Sequence, residues 1–431
     1  MLSFPTEGRH LRRLGILIAV ILAGEFVFSL PFHTIRYFRP TFLDVFAISN
    51  TDLGDMFAAY GIVAMLAYFP GGALADRYSP RTLITASLAA TALGGFYLAT
   101  LPGTVGLVGV YAYWGMTTVF LLWGAMLRVT RLWGGDNSQG LAFGLLDGGR
   151  GIVAALAAGF AIVLLADSLP ADVGTASMLE RETGLRRIIL AYSALTLVAA
   201  AIAWLMIPGE RAEPRKEESP WQGMREVVGR PTLWAHAGVI ICAYCAYKGL
   251  DSYSLYAVDV LGKNEVDAAR LVRDGAWLRP IAALAAGLLA DRYGGSWLIA
   301  AMFTLLAMSY GLLAFPGTAT WLAVANLFVT MCLAFGLRGV YFAIMNENRT
   351  PARVTGATVG LVSFIGFTPE IFFAPITGRI LDASPGAPGH YNYFQFLFVV
   401  ASLGIVVTLT MIWLNSRGRE RSNNSLTNEV S

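Results

Sequence analysis

Gly72-Ala73-Leu74-Ala75-Asp76-Arg77-Tyr78 closes one apolar run of this chain just before another begins. Half a chain later, Gly287-Leu288-Leu289-Ala290-Asp291-Arg292-Tyr293-Gly294 does the same. Both read G-x-L-A-D-R-Y. A second pair, Gly140-x-x-x-Gly144 and Gly356-x-x-x-Gly360, recurs at nearly the same offset. Two independent matches at one offset mark a duplicated chain, and duplicated halves in a membrane protein point to a two-lobed transporter.

Composition supports the membrane setting. With 431 residues, 56% hydrophobic and 14% charged, the chain has too little charge to cover a soluble protein of this length. Its net charge is +3 and its basic residues lie in loops rather than in a patch, so no nucleic-acid partner is expected. Cys242, Cys245 and Cys332 sit in apolar runs and make no disulfide framework. Cys242-x-x-Cys245 reads as a pair of small packing residues. His10, His33, His236 and His390 are scattered, without metal-binding spacing, and no nucleotide-binding loop is present. No enzyme activity, metal, cofactor or ATP coupling is expected. The first apolar run is too long for a signal core and carries Glu25 in its middle, so it reads as a retained span.

Crossing a ~30 Å hydrocarbon core takes about twenty helical residues. Runs of that length fall at Leu11–Tyr37, Leu53–Ala75, Thr82–Leu101, Val105–Leu127, Gly140–Ala166 and Arg187–Ile207. They continue at Thr232–Val258, Ala268–Ala290, Ser296–Phe315, Thr320–Met345, Thr355–Leu381 and Phe394–Leu414. The sequence therefore predicts an all-α membrane protein with twelve transmembrane helices in two pseudo-symmetric six-helix lobes, residues 1–207 and 232–414. A mixed-charge linker, 208–231, with a short interfacial helix around Trp221–Val228, joins them, and a polar, disordered tail, 415–431, follows.

Lys and Arg set the orientation. One side receives Arg9, Arg12, Arg13, Arg77, Arg81, Arg128, Arg131, the linker cations, Arg292, Arg349, Arg353 and the tail. The other holds Arg36, Arg39, Arg181, Arg186, Arg187, Lys263, Arg270, Arg273 and Arg379. Both termini and both repeated loops are expected in the cytoplasm.

The loop between the second and third apolar segments, repeated between the eighth and ninth, resembles the signature loop of the major facilitator superfamily. Segment count and half-repeat extend the likeness over nearly the whole chain. In that family the loop aspartate lies beside the start of a helix in the opposite half. The resemblance places Asp76 near Thr355 at the start of helix 11, and Asp291 near Gln139 at the start of helix 5. There a carboxylate meets unpaired N–H groups and a partial positive charge. Asp76, Arg77, Arg81, Asp291 and Arg292 are the gating residues this implies. The match is incomplete, because Ser79-Pro80 replace the usual glycine and basic residue, and Gly295-Ser296 replace a basic pair. Arg338-Gly339, then Thr355-Gly356 and Gly366-Phe367-Thr368-Pro369-Glu370, resembles the anion:cation symporter branch. Helix 5 has Gly140, Gly144, Gly148, Gly149 and Gly151 for close packing but lacks the Gly-Pro of the antiporters.

Setting loops aside leaves Arg150, Lys248, Arg279 and Arg338, and Glu25, Asp147, Asp251 and Glu370, inside helices. Each costs about 2.5–3.5 kcal/mol at a helix centre, so each needs a partner or a purpose. Helical rise puts Glu25 ~18 Å past Arg13 and Arg279 ~18 Å before Asp291, both near the midplane. Asp147 with Arg150, and Lys248 with Asp251, share a helix face and are expected to pair internally or to line a pathway. Arg279 and Arg338 have no acid nearby in sequence, which favours contact with a ligand. The resemblance puts helices 1, 4, 7 and 10 around a central cavity, which Glu25, Lys248, Asp251 and Arg338 would face. Phe26, Phe28, Tyr244, Tyr247, Tyr253, Trp277 and Tyr341 interleave with these charges, as suits an organic ligand. Trp204, Trp234, Trp297, Trp321 and Trp413 fit an interfacial belt.

The combined reading is a monomeric secondary transporter of a bacterial inner membrane, moving a small organic anion or zwitterion by alternating access, coupled to protons. Arg279, Arg338, Lys248, Arg150, Tyr247 and Tyr341 are the expected substrate contacts, since a guanidinium grips carboxylate or phosphate in a fork. Glu25, Asp251 and Glu370 are the expected proton-coupling groups. Export of amphipathic compounds, or a sensor or scaffold that keeps the fold without transport, are the alternatives.

Overall fold

A computed structural model of the chain describes residues 8–135, 139–209, 227–345 and 355–430. In hydrocarbon each backbone N–H and C=O must find its partner within its own segment, so apolar runs of this length become helices. The first half runs α1 (Leu11–Phe46), α2 (Asn50–Arg77), α3 (Pro80–Leu98), α4 (Thr104–Gly134), α5 (Gln139–Ser168) and α6 (Met178–Met206). In the second half, α7 is Pro231–Asp259, and α8 comprises Glu265–Ala276 and Leu278–Tyr293, parted at Trp277. Next come α9 (Gly295–Leu313), α10 (Thr320–Val340), α11 (Thr355–Gly366 and Pro369–Ala383) and α12 (Ala387–Val430). Nine helices among the described residues are long and apolar enough to cross a membrane, and α2, α3 and α8 fall outside that set.

Several boundaries differ from the sequence expectation for one reason: helices continue where apolarity stops. The first helix runs past Tyr37 to Phe46, the sixth begins at Met178 rather than Arg187, and the eighth begins at Glu265. The tail expected to be disordered extends α12 to Val430, because adding residues to a formed helix is easier than starting one. Most of the interfacial helix expected around Trp221–Val228 lies outside the described residues.

The two G-x-L-A-D-R-Y copies end differently. After the first, Ser79 is extended and its Oγ accepts the Thr82 N–H, with Pro80 opening α3. After the second, Gly294 takes φ 88, a conformation that favours glycine.

The interior of α1 is irregular. Pro31 offers no N–H, and Ser29–His33 opens into a π-helical turn, followed by a bend at Phe38. Ser29 Oγ and Thr196 Oγ1 donate to the Phe26 carbonyl at 2.7 and 3.1 Å, covering backbone that the irregular turn exposes.

Two compact units emerge, and they cut across the sequence halves. The first joins α1–α6 to Leu250–Pro280 and Glu370–Gly389; the second holds α7 up to Gly249, Ile281–Pro369 and the chain from His390. Within the first, α2 and the later piece of α11 approach backbone to backbone. A Cβ on Gly54 or Gly61 would strike the carbonyl of Ala374 or Glu370.

Candidate functional site

Glycines let three helices of the first unit close around one carboxylate. Gly24 of α1 makes room for Met126 and Arg150, Gly149 of α5 for Ile21, and Gly151 for the Arg279 side chain of α8. At their meeting point stands Glu25, 2% exposed. Its Oε2 accepts from Arg150 Nε at 2.9 Å. Its Oε1 faces both His33 Nε2 at 3.1 Å and Arg279 Nη1 at 3.6 Å. Arg279 Nη2 donates to Asp147 Oδ1 at 2.6 Å. The Arg150 guanidinium also lies 5.5 Å from the Phe28 ring centre. Two guanidiniums and two carboxylates thus alternate and cancel, which is the condition under which buried charge is tolerated. Asp147, its side chain 28% exposed, is the wettest of the four.

A second charged chain runs through the same unit. Arg36 Nε meets Asp251 Oδ1 at 2.6 Å, where α7 breaks into a 3₁₀ turn at Leu250–Ser252. Arg39 donates to the Asp251 carbonyl at 3.5 Å and to Asn50 Oδ1 at 3.0 and 2.8 Å. Asp382, at the end of α11, accepts the backbone N–H groups of Asn50 and Thr51 at 3.2 and 2.7 Å and so caps α2. Glu265 joins Arg181 at 2.8 Å and Thr41 Oγ1 at 2.6 Å. Arg379 clasps both oxygens of Asp55 at 2.9 and 3.2 Å.

The second unit has an aromatic group of its own. Arg338 sits 4.3 Å from the Tyr247 ring centre. Tyr247 neighbours Tyr244 and Phe335, and Tyr244 neighbours Phe367, at ring distances of 6.0, 6.3 and 5.0 Å. The Tyr341 carbonyl pairs with His236 Nε2 at 2.7 Å, and Lys248 is buried.

The structure gives these charges partners that sequence spacing did not suggest. Arg150 is held by Glu25, Asp147 by Arg279 and Asp251 by Arg36, each from another helix. Arg279, which has no acid near it in sequence, has two across the fold. Arg36 and Arg39, expected at and just past the outer end of the first span, are buried within α1. His33, read as an isolated histidine, joins the Glu25 cluster. The available signal was its place eight residues after Glu25, on the same helical stripe, with Pro31 between them. Among the gating residues, Arg77 and Asp291 are exposed. Arg81 donates to the Ile207 carbonyl at 2.7 Å, and Arg292 lies over Tyr293 at 5.3 Å. The side chains of Asp76, Thr355 and Gln139, and with them both expected latches, lie outside the described residues. Glu370 opens the later piece of α11, its backbone against Gly61.

Long apolar helices with mutually neutralised charges in their interior are those of an integral membrane protein. The chain belongs to the Major Facilitator Superfamily, whose sequence profile matches residues 16–374. It is 26% identical over 420 residues to the inner membrane protein YqcE of Escherichia coli (strain K12), covering 93% of this chain and 94% of that protein. It is 26% identical over 286 residues to the probable nitrate/nitrite antiporter NarK1 of Thermus thermophilus, covering 63% and 60%. A bacterial homolog to the human lysosomal transporter Spinster shares the fold, with TM-score 0.71, 15% identity and coverage of 96% and 98%. So does the nucleoside transporter NupG, with TM-score 0.66, 13% identity and coverage of 94% and 98%.

Proposed function

We propose that this transporter moves a small anion, organic or zwitterionic in the main, by alternating access and with proton coupling. The observation that carries the reading is the pair of buried guanidiniums, Arg150 and Arg279, held ready by Glu25 and Asp147. A guanidinium offers paired donors that match a carboxylate or oxyanion, and partial neutralisation lets it stay in the membrane until an anion competes for it. The aromatic group around Arg338 in the second unit supports an organic substrate, with Tyr247, Tyr341 and Lys248 as further contacts. The relative described as a probable nitrate/nitrite antiporter supports the anionic class. Glu25, Asp251 and Glu370 remain the carboxylates proposed for proton coupling, and Asp76, Arg77, Arg81, Asp291 and Arg292 those for gating. Alternating access gains support from Arg36–Asp251, Asp55–Arg379 and the Asp382 cap, which tie Leu250–Pro280 and Glu370–Gly389 to the first half through breakable polar contacts.

A ligand that binds only the folded protein raises its apparent stability, so a thermal-shift screen of the purified transporter tests the substrate class. The panel holds nitrate, nitrite, lactate, aromatic carboxylates, amino acids and cationic amphiphiles. Stabilisation by anions or zwitterions, lost in Arg150→Gln and Arg279→Gln, is expected. Stabilisation by cationic amphiphiles alone overturns the anion reading.

A further inference from the structure

The Glu25 cluster contains one group that the alternating charges do not use. Its four ions, Glu25, Asp147, Arg150 and Arg279, sum to zero, and His33 is a fifth, titratable member. His33 and Arg279 approach the same oxygen, Glu25 Oε1, at 3.1 and 3.6 Å, while Arg150 has Oε2 to itself. A neutral imidazole offers that oxygen one hydrogen bond; an imidazolium offers the same bond plus a full charge. The competition for Oε1 is therefore set by a single proton.

The geometry points to His33 as a proton-binding residue of the transport cycle: protonated, it takes Oε1 from Arg279, and that guanidinium, still held by Asp147, exchanges the Glu25 contact for a monovalent anion. The inference rests on the anion reading for the ligand, but not for the exchange of partners around Glu25. The proton arrives on the imidazole, and Glu25 takes part in proton coupling as the ionised acceptor that holds it, with Asp251 and Glu370 as further coupling groups. Protonation adds one positive charge to the cluster, and one bound monovalent anion offsets it.

The neighbours of His33 are consistent with this role. From its own helix it faces Glu25 and the Tyr37 ring, whose centre is 5.8 Å away. From α5 come Arg150 and Asp147, and from α8 Arg279. From α6, Tyr192 lies within electrostatic reach of Glu25 and Tyr37. The only charged side chain of α3 is Arg81, engaged with the Ile207 carbonyl. Glu25 is thus the one carboxylate at hydrogen-bond distance among these neighbours, and the π-helical turn at Ser29–His33 is what turns the imidazole back onto it.

The test follows nitrogen-15 resonances of the histidine and arginine side chains in lipid nanodiscs, from about pH 5 to about pH 8, the range in which histidine changes charge. The Arg279 Nε signal is expected to shift with the His33 titration, and to stay fixed in His33→Gln and in His33→Lys, which keeps a permanent charge. Sodium nitrate and sodium lactate serve as anionic probes in the same samples. Above the His33 titration their apparent Kd should rise ~10-fold per pH unit in the natural protein. It should not vary with pH in either variant, and His33→Lys should bind more tightly than His33→Gln. An Arg279 signal that ignores the His33 titration, or that titrates unchanged in His33→Gln, overturns the proposal. If Arg279 moves with His33 while neither probe binds at any pH, the proton site stands and the anion reading falls.

Discussion

The two units hold their membrane arginines in different ways. In the first, Arg150 and Arg279 lie against carboxylates at 2.9 and 2.6 Å. In the second, Arg338 lies against the Tyr247 ring face at 4.3 Å. A carboxylate cancels the charge and fixes its direction; a ring quadrupole attracts the cation without cancelling it. In the proposed function the first arrangement serves as a switch, since an added proton or anion changes its balance, and the second serves as a platform, since an aromatic face offers an organic group a surface beside a cation.

The largest effect should come from breaking the first arrangement. Glu25→Gln leaves Arg150 facing a neutral amide, and removing one partner of a buried ion pair costs about 3–5 kcal/mol. Chemical unfolding in detergent should register that loss, and proteoliposomes should lose both substrate exchange and uptake driven by a pH gradient. A well-folded Glu25→Gln that still exchanges substrate, yet no longer responds to the gradient, would make Glu25 itself the proton carrier and dissolve the contrast.

A smaller effect is expected from the second arrangement. Tyr247→Leu removes an interaction of about 0.5–2 kcal/mol, whereas Tyr247→Phe retains the ring. Binding of an aromatic carboxylate should weaken in the first variant and survive in the second. Equal loss in both would assign the effect to the hydroxyl.

Smaller again is Asp382→Asn, which weakens the cap on α2 by about 1 kcal/mol. Its sharper readout is distance: spin labels on α2 and the later piece of α11 should report more separated states. An unchanged distribution would show that the Asp382 cap does not hold α2 and α11 together. Arg379→Gln should leave thermal stability within error, because the Arg379–Asp55 pair is exposed and water competes for both partners. A clear fall in melting temperature would show that this rim pair supports the contact between α2 and the later piece of α11.

The repeated G-x-L-A-D-R-Y stretches and the spacing of apolar runs were legible because each depends on neighbours in sequence or on counts. Helix ends were less legible. Arg36 and Arg39 look like the end of a span by hydropathy, but Asp251 and Asn50 give them partners inside the fold, so α1 continues through them. His33 carried even less signal, only its place eight residues after Glu25 on one helical stripe, which names no partner without the fold.

By itself, the sequence determined an all-helical, duplicated membrane chain and the positions where charge enters its helices, because the bilayer penalises every unpaired polar group and so marks each one. Only the tertiary structure decided which charge meets which. A helix shows its own i+3 and i+4 neighbours in sequence, but the contacts of Glu25 with Arg150 and Arg279 depend on where three helices cross. Those crossings are set by Gly24, Gly149 and Gly151, whose missing side chains allow the approach, and distances of that kind are fixed by packing in space.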